Sequence, residues 1–90
     1  MLITVTQEHI ERGKKKNCAE CPVALALHDA GFPDAYVSFD RVWASPDDRL
    51  NNYNCLLAFL PILVRVWISN FDSGKHVEPF EFELILRWHR

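Results

Sequence analysis

The sequence predicts an α+β domain: a small, mostly antiparallel sheet with helices packed on one face, in the order β-α-α-β-β-α-β. Three observations predict it. Phe80, Phe82, Leu84, Leu86 and Trp88 alternate with Glu81, Glu83, Ile85, Arg87 and His89, the period-two signature of a strand with one buried and one solvent face. The stretch from Pro22 to Ala30 is apolar nearly all round, as a helix buried on most sides must be. Ninety residues, 49% of them apolar, suit a single domain spanning residues 1–90.

The elements follow in order. Leu2 to Val5 reads as a short strand. Thr6 is placed to cap a helix over Gln7–Arg12, which Gly13 stops. Lys14-Lys15-Lys16-Asn17 is a basic loop. Pro22 suits the first turn of the next helix, where its missing N–H costs nothing, and Gly31 with Pro33 ends that helix. Ala35 to Trp43 is a strand, with Ala35, Val37 and Phe39 on one face. Ser45-Pro46-Asp47-Asp48 signals a turn, Asn51 to Asn54 extends it, and Cys55–Phe59 returns as the partner of a hairpin.

Ile62 to Phe71 carries two patterns. Ile62, Val64, Val66 and Ile68 alternate as in a strand. Against that, Pro61 fits a helix start, Gly74 fits a stop, and Leu63, Val64, Trp67, Ile68 and Phe71 form a stripe at helical spacing. Helix is the assignment. The last strand begins near Pro79, which cannot donate to a ladder. The core predicted from these elements is Val23, Leu25, Leu27, Trp67, Phe80, Phe82 and Leu84.

Composition narrows the function. A net charge of −2 does not point to direct nucleic-acid binding. No basic segment followed by a long apolar stretch opens the chain, and the longest apolar run, Cys55 to Val64, is too short to span a bilayer. Three cysteines, an odd number, fit reduced thiols in the cytoplasm better than a secreted disulfide framework.

Cys18-Ala19-Glu20-Cys21-Pro22 is the sharpest local motif, a CxxC at the start of the buried helix. Helix N-terminal N–H groups favour a thiolate, so redox chemistry is one reading. Half of a zinc site is another, with Cys55, His9, His28 or His76 completing it; no second CxxC or HxxxH is present. Two small residues packing a helix start is the third and plainest. The basic cluster Arg12, Lys14, Lys15, Lys16 can touch phosphate, yet no aromatic residue interleaves with it. No glycine-rich phosphate loop or nucleophile elbow is present. These observations imply no enzyme, no cofactor and no resident metal.

The acidic residues remain. Glu81 and Glu83 fall on the solvent face of the last strand, with Glu78 beside it, and Asp47 and Asp48 crown the predicted hairpin. Such carboxylates serve solubility and edge protection, or they present a surface to a basic partner.

A further set of residues carries a resemblance. Ile3-x-Val5, His9-Ile10-x-x-Gly13, Cys18-x-x-Cys21-Pro22-x-Ala24-x-Ala26-Leu27, Leu60-Pro61, Phe71-Asp72-x-Gly74 and Val77-x-Pro79-Phe80-x-Phe82 resemble a group of small uncharacterised proteins of bacteriophages and bacterial mobile elements. The group brings no catalytic residues to transfer. The resemblance implies a setting, that of accessory proteins, some of which block host defences by binding as anti-CRISPR proteins do. The partner expected from it is a host protein or ribonucleoprotein complex, met through Glu78, Glu81, Glu83, Asp47 and Asp48. The alternative is a small zinc-stabilised or nucleic-acid-binding domain using Cys18 and Cys21.

Overall fold

The computed structural model describes residues 1–45 and 55–87. Eight elements run in the order β1 (Leu2–Val5), α1 (Gln7–Arg12), α2 (Pro22–Asp29), β2 (Tyr36–Ser38), β3 (Arg41–Ala44), β4 (Cys55–Phe59), α3 (Ile62–Asp72) and β5 (Phe80–Glu83). The α+β class is as predicted. The strands divide into two antiparallel sheets, β1-β5 and β2-β3-β4.

One strand more than predicted arises between Ala35 and Trp43. Phe39 adopts a left-handed conformation, φ 60°, and turns the chain back on itself. Val37 then pairs with Val42, and Ser38 with Arg41. Phe39, read from the alternation as sharing a face with Val37, is 83% exposed, whereas Val37 is buried. The hairpin of β3 and β4 forms as expected, but Asp47 and Asp48 lie outside the described residues. So do Trp88 and His89 of the predicted last strand.

The first and last strands close the chain. Ile3 pairs with Phe82 and Val5 with Phe80, and these four side chains turn inward. Leu2, Thr4, Glu81 and Glu83 share the outer face. The pairing stops at Glu83, although Leu84 N–H still donates to the Met1 carbonyl at 2.7 Å.

The ambiguous segment is a helix, as assigned. Val64 and Phe71 of α3 are buried, while Trp67 lies against Phe80 with ring centroids 4.8 Å apart and donates its indole N–H to the Glu78 carbonyl. Its predicted stripe is narrower than expected: Leu63 is 79% exposed. Among the predicted core residues Val23, Leu27 and Leu84 are fully buried, whereas Leu25 is half-buried and Trp67, Phe80 and Phe82 are half-buried against the rim of a small core.

Between the sheets lies α2, with Pro22, Val23, Ala24, Ala26 and Leu27 all buried. Fully burying Val23 and Leu27 is worth about 1.5–3 kcal/mol each. Gly31 ends α2 with φ 110°, and Gly74 follows α3 with φ 81°, conformations that favour glycine.

Gly13 has another role. It caps α1 where the sequence places the helix stop, with φ −70° and its N–H donating to the His9 carbonyl. A side chain at Gly13 would put its Cβ 2.6 Å from Cγ and Cδ of Pro22, so glycine is what lets α1 close onto the head of α2. At an ordinary negative φ with open space, Gly→Ala stabilises by about 0.4–1 kcal/mol. Here we expect Gly13→Ala to destabilise by about 1–3 kcal/mol in urea unfolding, because the proline ring cannot yield. A stabilising change would show that the close approach to Pro22 is not a constraint.

Candidate functional site

The CxxC motif is built into a closed turn. Asn17 Oδ1 accepts the N–H groups of Ala19 and Glu20 at 3.0 Å each, and the Asn17 carbonyl accepts from Cys21 N–H. Lys14 and Glu20 close the base of the turn, through a backbone hydrogen bond and a 3.0 Å ion pair. This turn exposes Cys18 and buries Cys21.

Cys21 is the N-cap of α2. Its Sγ accepts the N–H of Ala24 at 3.4 Å, the task a serine or threonine oxygen usually performs. Burial pushes its thiol pKa up, and this outweighs the opposing pull of the Ala24 and Val23 N–H groups. Of the two thiols, Cys21 is thus the buried one that caps the helix and Cys18 the exposed one.

Of the histidines weighed as zinc ligands, His28 and His76 each have one ring nitrogen engaged within the protein and His9 has both. His28 Nε2–H donates to the Ala35 carbonyl at 2.7 Å. His76 lies 2.6 Å from the Glu78 carboxylate. His9 Nδ1 accepts the Thr6 N–H at 2.9 Å, and its Nε2–H therefore donates to Asp29 Oδ2 at 2.7 Å. Among the described residues no three His, Cys, Asp or Glu side chains come together as a metal site.

The array Thr6–His9–Asp29 has the residue types of a catalytic triad but the geometry of a cap. Thr6 Oγ1 accepts the His9 N–H while His9 reaches back to the Thr6 N–H, so a histidine replaces the glutamate of a capping box. The Thr6 hydroxyl is held in the cap, and the ring sits buried between α1 and the end of α2. Thr6-x-x-His9 is visible in the sequence; the Asp29 partner, on another helix, has no sequence signal.

The acidic residues form an open surface. Glu81 and Glu83 stand side by side on the outer face of β5. Glu81 Oε2 accepts the Thr4 hydroxyl hydrogen bond at 3.2 Å, and Glu83 Oε1 pairs with the Met1 ammonium at 2.7 Å. Leu2, 58% exposed, lies opposite Glu83, and Ile85, 74% exposed, continues the outward alternation. Glu78 is exposed just before β5 and is held by His76. Glu81 and Glu83 thus share a face, with Ile85 on the solvent side as the alternation predicts; the sequence reading missed Leu2, which the β1–β5 register sets opposite Glu83.

No family model, no curated protein and no solved structure matches this chain. No helix among the described residues is long and apolar enough to cross a membrane.

The two thiols should differ sharply in reactivity. With iodoacetamide at pH 8, Cys18 should be alkylated at least about tenfold faster than Cys21, by peptide mapping, and denaturant should abolish the difference. Equal rates in the folded protein would contradict the buried cap.

Asp29 gives a pH prediction. The hydrogen bond from His9 holds its carboxyl below the ordinary value of 3.8. Its contribution is complete above 3.8 and is lost as pH falls through the lower folded value. Asp29→Asn should therefore reduce the loss of stability on acidification below pH 3.8, read from urea unfolding across the acid range. An unchanged acid limb would mean that the His9 contact does not favour the Asp29 carboxylate.

Proposed function

We propose that this chain is a non-enzymatic binding protein that meets its partner through the outer face of the β1–β5 sheet. The observation that carries this reading is the placement of Glu81 and Glu83 beside exposed Leu2 and Ile85 on strands whose inner faces are packed in the core. Apolar side chains beside fixed charges are the makings of an interface: the apolar part supplies affinity, the carboxylates supply orientation and rate of encounter. A partner that fits is a protein surface with basic residues around an apolar centre. Lys/Arg grooves in which other proteins hold nucleic acid have the matching charge.

The resemblance to small phage proteins supports the sharpest form of the reading: inhibition of a host defence complex, protein or ribonucleoprotein, in the bacterial cytoplasm. In this form the chain competes with nucleic acid for a basic surface and does not itself bind nucleic acid.

The test is comparative co-purification from the bacterial host with the wild type and a Glu81→Lys, Glu83→Lys double variant. The variant gives up the Thr4–Glu81 hydrogen bond and the Met1–Glu83 ion pair, both exposed. Each is worth no more than about 1 kcal/mol, so the variant should remain folded. A partner retained by the wild type and lost by the variant, with binding that weakens as salt rises, is the expected result. If the isolated partner binds both proteins equally at low salt, the sheet face is only a solvated surface.

A further inference from the structure

A groove of about 450 Å³ opens on a different part of the molecule, between the CxxC turn, the β2–β3 turn and α3. One wall is a single helix face: Arg65, Ile68, Ser69, Asp72 and Ser73 recur at the three- and four-residue spacing that aligns side chains. Lys16, Asn17 and Cys18 form the facing wall. Val37 and Ile68 add apolar lining, and the exposed ring of Phe39 flanks the groove.

Its polar groups have unused capacity. Arg65 Nε is buried without an acceptor, and the carboxylate nearest this guanidinium among the described residues, Asp40 Oδ2, lies 4.0 Å from its other end. Asp40 itself lies closer to Arg41, at 3.2 Å. The Lys16 ammonium has no carboxylate partner among the described residues, although its backbone N–H donates to Asp72 Oδ1 at 2.9 Å. That bond engages the one carboxylate in the lining. Two cations against one committed anion leave a net positive groove.

Backbone conformation points to the same place. The non-glycine residues with positive φ among those described are Lys16, 56°, and Phe39, 60°, and both line this groove. Such conformations are costly for side chains with a Cβ and gather at ligand clamps. Here one holds a cation and the other an aromatic ring at the groove.

We propose that this groove is a binding site for a small organic anion, a carboxylate carried on an apolar body. Arg65 and Lys16 take the carboxylate, Ser69 and Ser73 add hydroxyl donors, and Val37, Ile68 and Phe39 take the apolar part. A planar guanidinium with an unfilled N–H edge suits a carboxylate, which it engages with two parallel hydrogen bonds once the side chain turns that edge toward the opening. The volume is in the range of small-molecule sites. This site is separate from the β1–β5 face and stands whether or not that face binds a partner.

The test is titration of the 15N-labelled protein with 4-phenylbutyrate and, separately, with its neutral counterpart 4-phenylbutanamide. The acid should give saturable amide shifts at Asn17, Val37 and Ser69, with a Kd of about 1 mM for a ligand of this size. The amide should bind at least about fivefold more weakly, because it lacks the charge that Arg65 and Lys16 recognise. Arg65→Gln should reduce the acid to the affinity of the amide. Equal affinities for acid and amide on the wild type, shifts centred on Leu63 and Val66 instead, or no saturation with the acid would each overturn the proposal. The wild-type comparison decides even if the Arg65 variant fails to fold.

Discussion

The burial of α2 on nearly every side is the constraint on which the rest of this structure depends. A two-stranded and a three-stranded sheet are each marginal alone. Neither has enough apolar surface to offset the entropy of ordering its strands. Helix α2 supplies the shared apolar surface, and its small residues Ala24 and Ala26 let neighbouring elements approach closely. Its head is tied down by Pro22, the Cys21 cap and the close approach of Gly13; its tail is tied to α1 through His9 and Asp29. The CxxC motif, so conspicuous in the sequence, is part of this anchoring.

Anchoring α2 allows the ends of the chain to meet. Pairing β1 with β5 joins segments nearly the full chain apart, an entropic cost recovered only if the inner face is well packed. Ile3 and Val5 are fully buried there, and Phe80 and Phe82 lie against the core with Trp67 in a ladder of aromatic rings. The outer face carries no such duty. Its residues are held in position by packing on the other side of the sheet, which leaves Leu2, Glu81, Glu83 and Ile85 free to be chosen for what they meet.

The parts legible in the sequence are those governed by local periodicity. Alternation identified the inward and outward sets of β5, and with them the carboxylates Glu81 and Glu83. Helical spacing and Gly74 placed α3 against its competing strand pattern. What stayed hidden was decided by distant contacts. The turn at Phe39-Asp40 contains no glycine, asparagine or proline, and alternation runs through it without a break. Tertiary structure holds it: the Asp40 carbonyl accepts the Leu60 N–H at 2.8 Å, and Val37 N–H donates to the Cys18 carbonyl at 2.8 Å. The groove was hidden for the same reason, since its walls come from three stretches that no pattern connects.

A net charge of −2 suggests a surface of little electrostatic character, but charge acts where it is placed. On the β1–β5 face the described neighbours of Glu81 and Glu83 are hydroxyl, ammonium and apolar groups, with no lysine or arginine paired to either carboxylate. In the groove Arg65 and Lys16 face one carboxylate that is already accepting a backbone hydrogen bond. Among the other described residues, Lys14 pairs with Glu20, Arg12 with Glu8 and Arg41 with Asp40. The small net charge of the whole chain therefore describes neither of these two surfaces, which are opposite in sign. Selective recognition requires only fixed charge beside apolar surface, and this chain has that arrangement twice.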